Sequence, residues 1–177
     1  MRTLEENLTQ YAAYHRDRRN IATHFVGVPL IVFSVILALS VVHIPLGPVA
    51  ATVAGFASVA ACLYYFKLDF RFGLALAAAL FLMCAAASEI TARTTTGVAL
   101  GAAAAIFVFG WVLQFWGHRF EGMKPAFYDD LQQLLIGPLF VCAEAFFIFG
   151  ARPELRRYIE ERVGPTVARR THPESVA

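Results

Sequence analysis

Charge is scarce in this sequence. Charged residues make up 16% of the 177, and hydrophobic residues 58%, where soluble domains carry about 25% and about 45–50%. With a mean hydropathy of +0.58, that excludes an ordinary soluble globular domain. Cysteine is scarce too. Cys62, Cys84 and Cys142 all fall in apolar stretches, odd in number and without CxxC spacing, which excludes a disulfide framework and a zinc knuckle. No nucleotide-binding loop, GxSxG elbow, HExxH helix or CxxCH haem site occurs, so four common routes to chemistry are closed. The first dozen residues include Glu5 and Glu6 and no apolar core, which argues against a cleavable signal peptide. A formal net charge of +2 is too small to point to nucleic acid as a partner.

What is present is a series of apolar blocks, each near the 20 residues that cross a bilayer. They lead to an all-α fold: a polytopic membrane helix bundle of four to five membrane segments with an N-terminal amphipathic helix. Thr3 to Asp17 is expected to form that first helix. Thr3 and Glu6 make a capping box, and Leu4, Leu8, Tyr11, Ala12 and His15 share one face. Asn20 is the expected N-cap of the next helix. Crossings are expected at Ile21–Val42, Val49–Phe66, Phe72–Ile90 and Gly97–Trp116, with a short turn through His43, Pro45, Gly47 and Pro48. Pro125 suits the first turn of a helix running on through Leu131. Leu131–Gly150 is apolar but holds Pro138 and Glu144, and reads as re-entrant, interfacial or a fifth crossing. Residues 1–150 are expected to form one membrane-embedded catalytic domain. Residues 151–177 should make a polar tail, disordered from Thr166. Basic residues cluster before the first crossing, after the second and after the fourth. By the positive-inside rule those ends face the cytoplasm.

Two histidine-bearing stretches therefore meet at one face: Tyr14 to Pro29, and Gln114 to Ala126. On one continuous helix His15 and His24 would stand about 13.5 Å apart on opposite sides. They can share a metal only if the chain turns near Arg18–Asn20. His118 joins them from the other stretch, with Glu121 one turn away as a ligand or as an acceptor fixing a histidine tautomer. Asp17, Asp129, Asp130 and Glu144 are further carboxylates within reach. A single interfacial histidine more often hydrogen-bonds backbone or headgroups, whereas three on one face favour a binding set for iron or zinc. His43 lies roughly 28 Å of helix from His24, and His172 lies in the tail, so both are set aside. Glu144 could equally pair with an arginine.

Tyr14-His15, Asn20, His24, Gly27 and Pro29 form one pattern, YHxxxxNxxxHxxGxP. About 85 residues later Gln114, Gly117-His118, Glu121 and Pro125-Ala126 form another, QxxGHxxxExxxPA. In both motifs the sequence resembles the membrane-bound 2-hydroxy fatty acid dioxygenases, over about residues 1 to 150. The resemblance implies Fe(II)-dependent α-oxidation, in which a 2-hydroxy fatty acid loses one carbon with O₂. Under it His15, His24 and His118 are the metal ligands, and Glu121, Asn20 and Arg119 belong to the catalytic site. Arg16, Arg19, Arg119 or Lys124 would attract the substrate carboxylate, and the acyl chain would enter sideways from the lipid. The Ala- and Arg-rich composition suggests a bacterial inner membrane, with the metal site facing the cytoplasm. Two alternatives stand beside this one. One is a zinc-dependent lipid hydrolase using the same histidines. The other is a small transporter or adaptor in which they are structural.

Overall fold

The computed structural model describes residues 2–46, 49–122 and 132–168. Seven helices run through the described residues: α1 (Leu4–Ala12), α2 (Arg18–Ser40), α3 (Val53–Leu68), α4 (Phe70–Arg93), α5 (Thr96–Glu121), α6 (Gln133–Ile148) and α7 (Pro153–Val163). Between α2 and α3 two short strands, β1 (His43–Leu46) and β2 (Val49–Thr52), pair antiparallel with His43 opposite Thr52. The protein is an all-α polytopic membrane protein. Its helices α2, α4 and α5, of 23, 24 and 26 residues, are long and apolar enough to span a bilayer. At 1.5 Å per residue they cover the roughly 30 Å of hydrocarbon.

The expected second crossing is divided. Its first four residues form β2, so the turn expected at His43–Pro48 is a strand pair whose tip, residues 47–48, lies outside the described residues. Only 16 residues remain helical in α3, about 24 Å of helix. The expected last segment is the 16-residue α6 followed, after a bend of 114°, by α7. Pro125 and the helix expected through Leu131 lie outside the described residues.

The chain forms two compact units. One takes the segments up to Val28 and from Val112, and the other is Pro29–Trp111. In the second unit α3 packs on α4. Asp69 ends α3 and caps α4, accepting a hydrogen bond from the Phe72 N–H at 3.0 Å. Large apolar side chains on these helices point outward: Phe81 is 72% exposed and Leu63 66%. A water-soluble fold would bury them, and a lipid-facing surface leaves them there.

The first unit is built on α1. Thr3 and Glu6 form the expected capping box, each side chain accepting from the other's backbone N–H. Leu4, Asn7, Leu8, Tyr11 and Ala12 are buried at helical spacing, and α6 and α7 pack against α1. The charged stretch after Gly150 holds more structure than its composition indicates. Gly150, at φ +73°, ends α6 in a Schellman turn: its N–H donates to Phe147 O, and Ala151 N–H to Phe146 O. Pro153 then opens α7, which buries Leu155 and Ile159. Residues 169–177, most of the expected disordered end, lie outside the described residues.

Leu8→Ala should destabilise the protein by about 2–5 kcal/mol, because Leu8 is fully buried and the truncation leaves a cavity. Phe81→Ala, at a lipid-facing position, should stay within about 0.5 kcal/mol of the parent. Thermal unfolding of both variants in one detergent checks the contrast.

Candidate metal centre

The first histidine is positioned by a turn, not by a helix. α1 stops at Ala12, and the Tyr14 and His15 N–H groups then donate to Tyr11 O and Ala12 O at 3.1 and 3.0 Å. His15 thus lies beyond the helix on which sequence periodicity placed it, although it is fully buried. Asp17, not Asn20, begins the next helix. Its carbonyl accepts from Ile21 N–H at 3.1 Å, and its carboxylate accepts from Arg19 N–H at 2.9 Å, as an N-cap does. The break that frees His15 from the α2 axis therefore comes before Arg18, ahead of the expected site.

That turn delivers His15 to His24 on the second turn of α2 and to His118 near the end of α5. Ring centroids are 4.5 Å apart for His15–His24, 4.9 Å for His15–His118 and 5.3 Å for His24–His118. One ring nitrogen from each lies within 4.8 Å of the others. All three residues are buried, with exposures of 0%, 1% and 6%. Three of the expected residues thus converge as a set that can hold a metal ion.

The hydrogen bonds determine which nitrogens face inward. His15 Nδ1 lies 2.7 Å from Tyr11 O, and His24 Nδ1 lies 2.9 Å from Asn20 O. A carbonyl only accepts, so both Nδ1 atoms carry the proton. In the neutral rings both Nε2 atoms then present lone pairs, and they face each other at 3.0 Å. Two acceptors at that distance repel unless a cation or a proton lies between them. Protonation is opposed: burial first, then the charges of His24 and His118, hold the His15 pKa well below the ordinary imidazole range. Neutral imidazole donors turned inward, with their outer nitrogens fixed by carbonyls, suit a divalent transition metal.

Glu121 stands apart from the ligand group. One oxygen accepts from Arg16 N–H at 2.9 Å; the other accepts from Asp17 N–H at 2.9 Å and from the Asn20 side-chain amide at 3.1 Å. The carboxylate pins the His15 turn to α5. Asn20 is buried; its amide donates to Glu121 and to Tyr14 O, and its carbonyl accepts from His24 Nδ1 and from Thr23 Oγ1. Gly117 allows the approach: a Cβ there would lie 2.1 Å from Thr23 Oγ1 and 2.5 Å from Asn20 Oδ1. Arg119 is exposed, about 100° round α5 from His118.

The other expected groups have different partners. Asp17 pairs with Arg19, whose guanidinium also lies over the Phe120 ring. Arg16 is buried; its Nε donates to Ala12 O and His15 O, its Nη1 donates to Gly164 O, and Nη2 stands 3.7 Å from Glu144. His43 is exposed in β1. Lys124, Asp129, Asp130 and His172 lie outside the described residues. Two contacts went unforeseen. Tyr11 stacks flat on His15, with centroids 4.2 Å apart and planes 5° apart; the helical interval from Tyr11 to His15 was its signal. Val167 pairs with the His15 turn, accepting from Arg18 N–H and donating to Arg16 O. Nothing local in the sequence marks that pairing.

The profile of the Mpo1-like family, described as 2-hydroxy-palmitic acid dioxygenase Mpo1-like, matches residues 1–148. This chain belongs to the Mpo1-like family. It is also 31% identical over 159 residues to the 2-hydroxy-palmitic acid dioxygenase MPO1 of Saccharomyces cerevisiae, a match covering 89% of this chain and 87% of the yeast protein. No solved structure matches. The Mpo1-like profile contains the whole histidine trio, whereas α7 and the Val167 pairing lie beyond its end.

Glu121→Ala should cost about 3 kcal/mol or more, because it leaves buried backbone donors without a charged acceptor. Glu121→Gln, which keeps one acceptor oxygen, should lose less, and thermal unfolding gives the order. Metal-free protein should also be sensitive to acid. The folded His15 pKa lies below the unfolded value of about 6.5, so below that pH the unfolded chain binds more protons and stability falls. The unfolding midpoint should drop from pH 7 to pH 5, and His15→Gln should flatten the drop.

Proposed function

We propose that this protein is an iron(II)-dependent dioxygenase that shortens 2-hydroxy fatty acids by one carbon. The observation that carries the reading is the pair of inward lone pairs of His15 and His24 at 3.0 Å, with His118 completing the set. The family membership and the yeast relative's description as a 2-hydroxy-palmitic acid dioxygenase support the reaction class.

His15, His24 and His118 would hold the metal. Bound iron(II) supplies the electron-transfer chemistry that lets O₂ react with an organic acid. The overall change balances as hydroxy acid plus O₂ giving the acid one carbon shorter, carbon dioxide and water. The remaining work falls to the chain's own residues. Tyr11 O and Asn20 O keep the outer imidazole nitrogens protonated, so the inner ones stay available as donors. Glu121 and Asn20 position the His15 turn rather than contact the substrate. The Tyr11 ring covers one face of His15 and keeps water from it. Arg119, exposed on α5, draws carboxylates to the membrane surface. The acyl chain lies in the apolar region and enters from the lipid. The arginines around the His15 turn favour a cytoplasmic face for the site, and the composition favours a bacterial inner membrane. Residues 1–150 act as the catalytic domain.

The test is elemental analysis of anaerobically purified protein beside His118→Ala, followed by O₂ uptake with 2-hydroxypalmitate. About one iron per chain, lost in the variant, with substrate-dependent O₂ uptake is the expected result. Zinc with lipid hydrolysis and no O₂ uptake would replace this reading with a hydrolase. A wild type purified with iron supplied throughout that carries no metal would leave the histidines structural.

A further inference from the structure

Four residues of α5 form one buried stripe: Gln114, Gly117, His118 and Glu121. Their spacing of three, four and seven places them on a single helix face. Three have a use in the geometry already described: Gly117 admits α2, His118 joins the trio and Glu121 clamps the turn. Gln114 has none of these. It is 5% exposed, and its Nε2 is fully buried with no acceptor among the described residues. A buried amide donor without a partner is destabilising, and such a group marks a place where something else binds.

Its position indicates what that is. Gln114 lies one helical turn from His118, about 6 Å along the axis, on the side of the apolar body of α5. A ligand seated at the three imidazoles and extending along the apolar body of α5 would pass it. Of the cations expected to meet a carboxylate, Lys124 lies outside the described residues, and none of the other three is a free group beside the trio. Arg16 bonds three carbonyls and faces Glu144, Arg19 pairs with Asp17, and Arg119 is exposed. The unused group is a donor, so its partner must be an acceptor.

We propose that the Gln114 side-chain amide donates a hydrogen bond to the carboxylate of a 2-hydroxy acyl ligand held at His15, His24 and His118. Gln114 is thus a substrate-binding residue that orients the head of the fatty acid. This rests on the function proposed above. A neutral donor suits the place, because it holds the carboxylate without adding a positive charge beside the metal ligands.

The experiment compares wild type, Gln114→Leu and Gln114→Glu, all iron-loaded and anaerobic so that no turnover occurs. Iron per chain is measured by elemental analysis, and the Kd for 2-hydroxypalmitate by equilibrium binding in detergent. Iron should be unchanged in both variants. The Kd should weaken about tenfold to a hundredfold in Gln114→Leu, the range for a hydrogen bond to a charged group. It should weaken further in Gln114→Glu, where two carboxylates would meet. Should Gln114→Leu fail to fold, the nearly isosteric Gln114→Glu carries the comparison. Wild-type affinity in the variants, or iron lost in step with affinity, overturns the assignment and makes Gln114 a packing residue. A wild type that holds iron but does not bind 2-hydroxypalmitate overturns the functional reading beneath it.

Discussion

A turn of backbone buried between two helices must have its N–H groups satisfied, and here one carboxylate from elsewhere in the chain does it. Glu121 accepts from Arg16, Asp17 and Asn20 at once. Remove that acceptor and the Arg16 and Asp17 N–H groups of the chain reversal between α1 and α2 lose their carboxylate partner. The clamp holds the turn that brings His15 to His24 and His118. It acts over about a hundred residues of sequence because α5 ends beside the point where α2 begins.

The centre itself is in electrostatic conflict until something positive enters it. Carbonyl oxygens of Tyr11 and Asn20 set the tautomers of His15 and His24 from behind, so both rings turn lone pairs inward. Burial disfavours relief of the conflict by a proton. A divalent cation would relieve it and would also link the N-terminal turn, α2 and α5. Metal binding and local folding would in that sense be one event.

Around the centre lies a shell that the family profile only partly covers. Tyr11 and Phe140 pack on the His15 ring. Gly164 and Val167, beyond the profile, bond Arg16 and Arg18 on either side of the turn. The segment after α6 thus contributes backbone partners to the same loop that Glu121 holds.

Much of this was legible without coordinates. Apolar block lengths determined a membrane helix protein, since lipid admits no other use for such runs. The Thr3–Glu6 capping box and the three histidines could be read from residue type and spacing, because those groups are local or chemically distinctive. What spacing could not supply was where the chain turns. Helical periodicity carried α1 through His15, whereas the helix stops at Ala12 and Asp17 caps its successor, with the Arg16 and Asp17 N–H groups of the turn bonded to Glu121 of α5. The same blindness to distant partners left Glu121 open as ligand or acceptor, and spacing gave no sign that its carboxylate bonds the Arg16 and Asp17 N–H groups. It also hid α7, which buries Leu155 and Ile159 and packs against α1. Sequence determined which groups could do chemistry, and tertiary structure decided which of them meet, because hydrogen bonds between distant segments leave no periodicity to read.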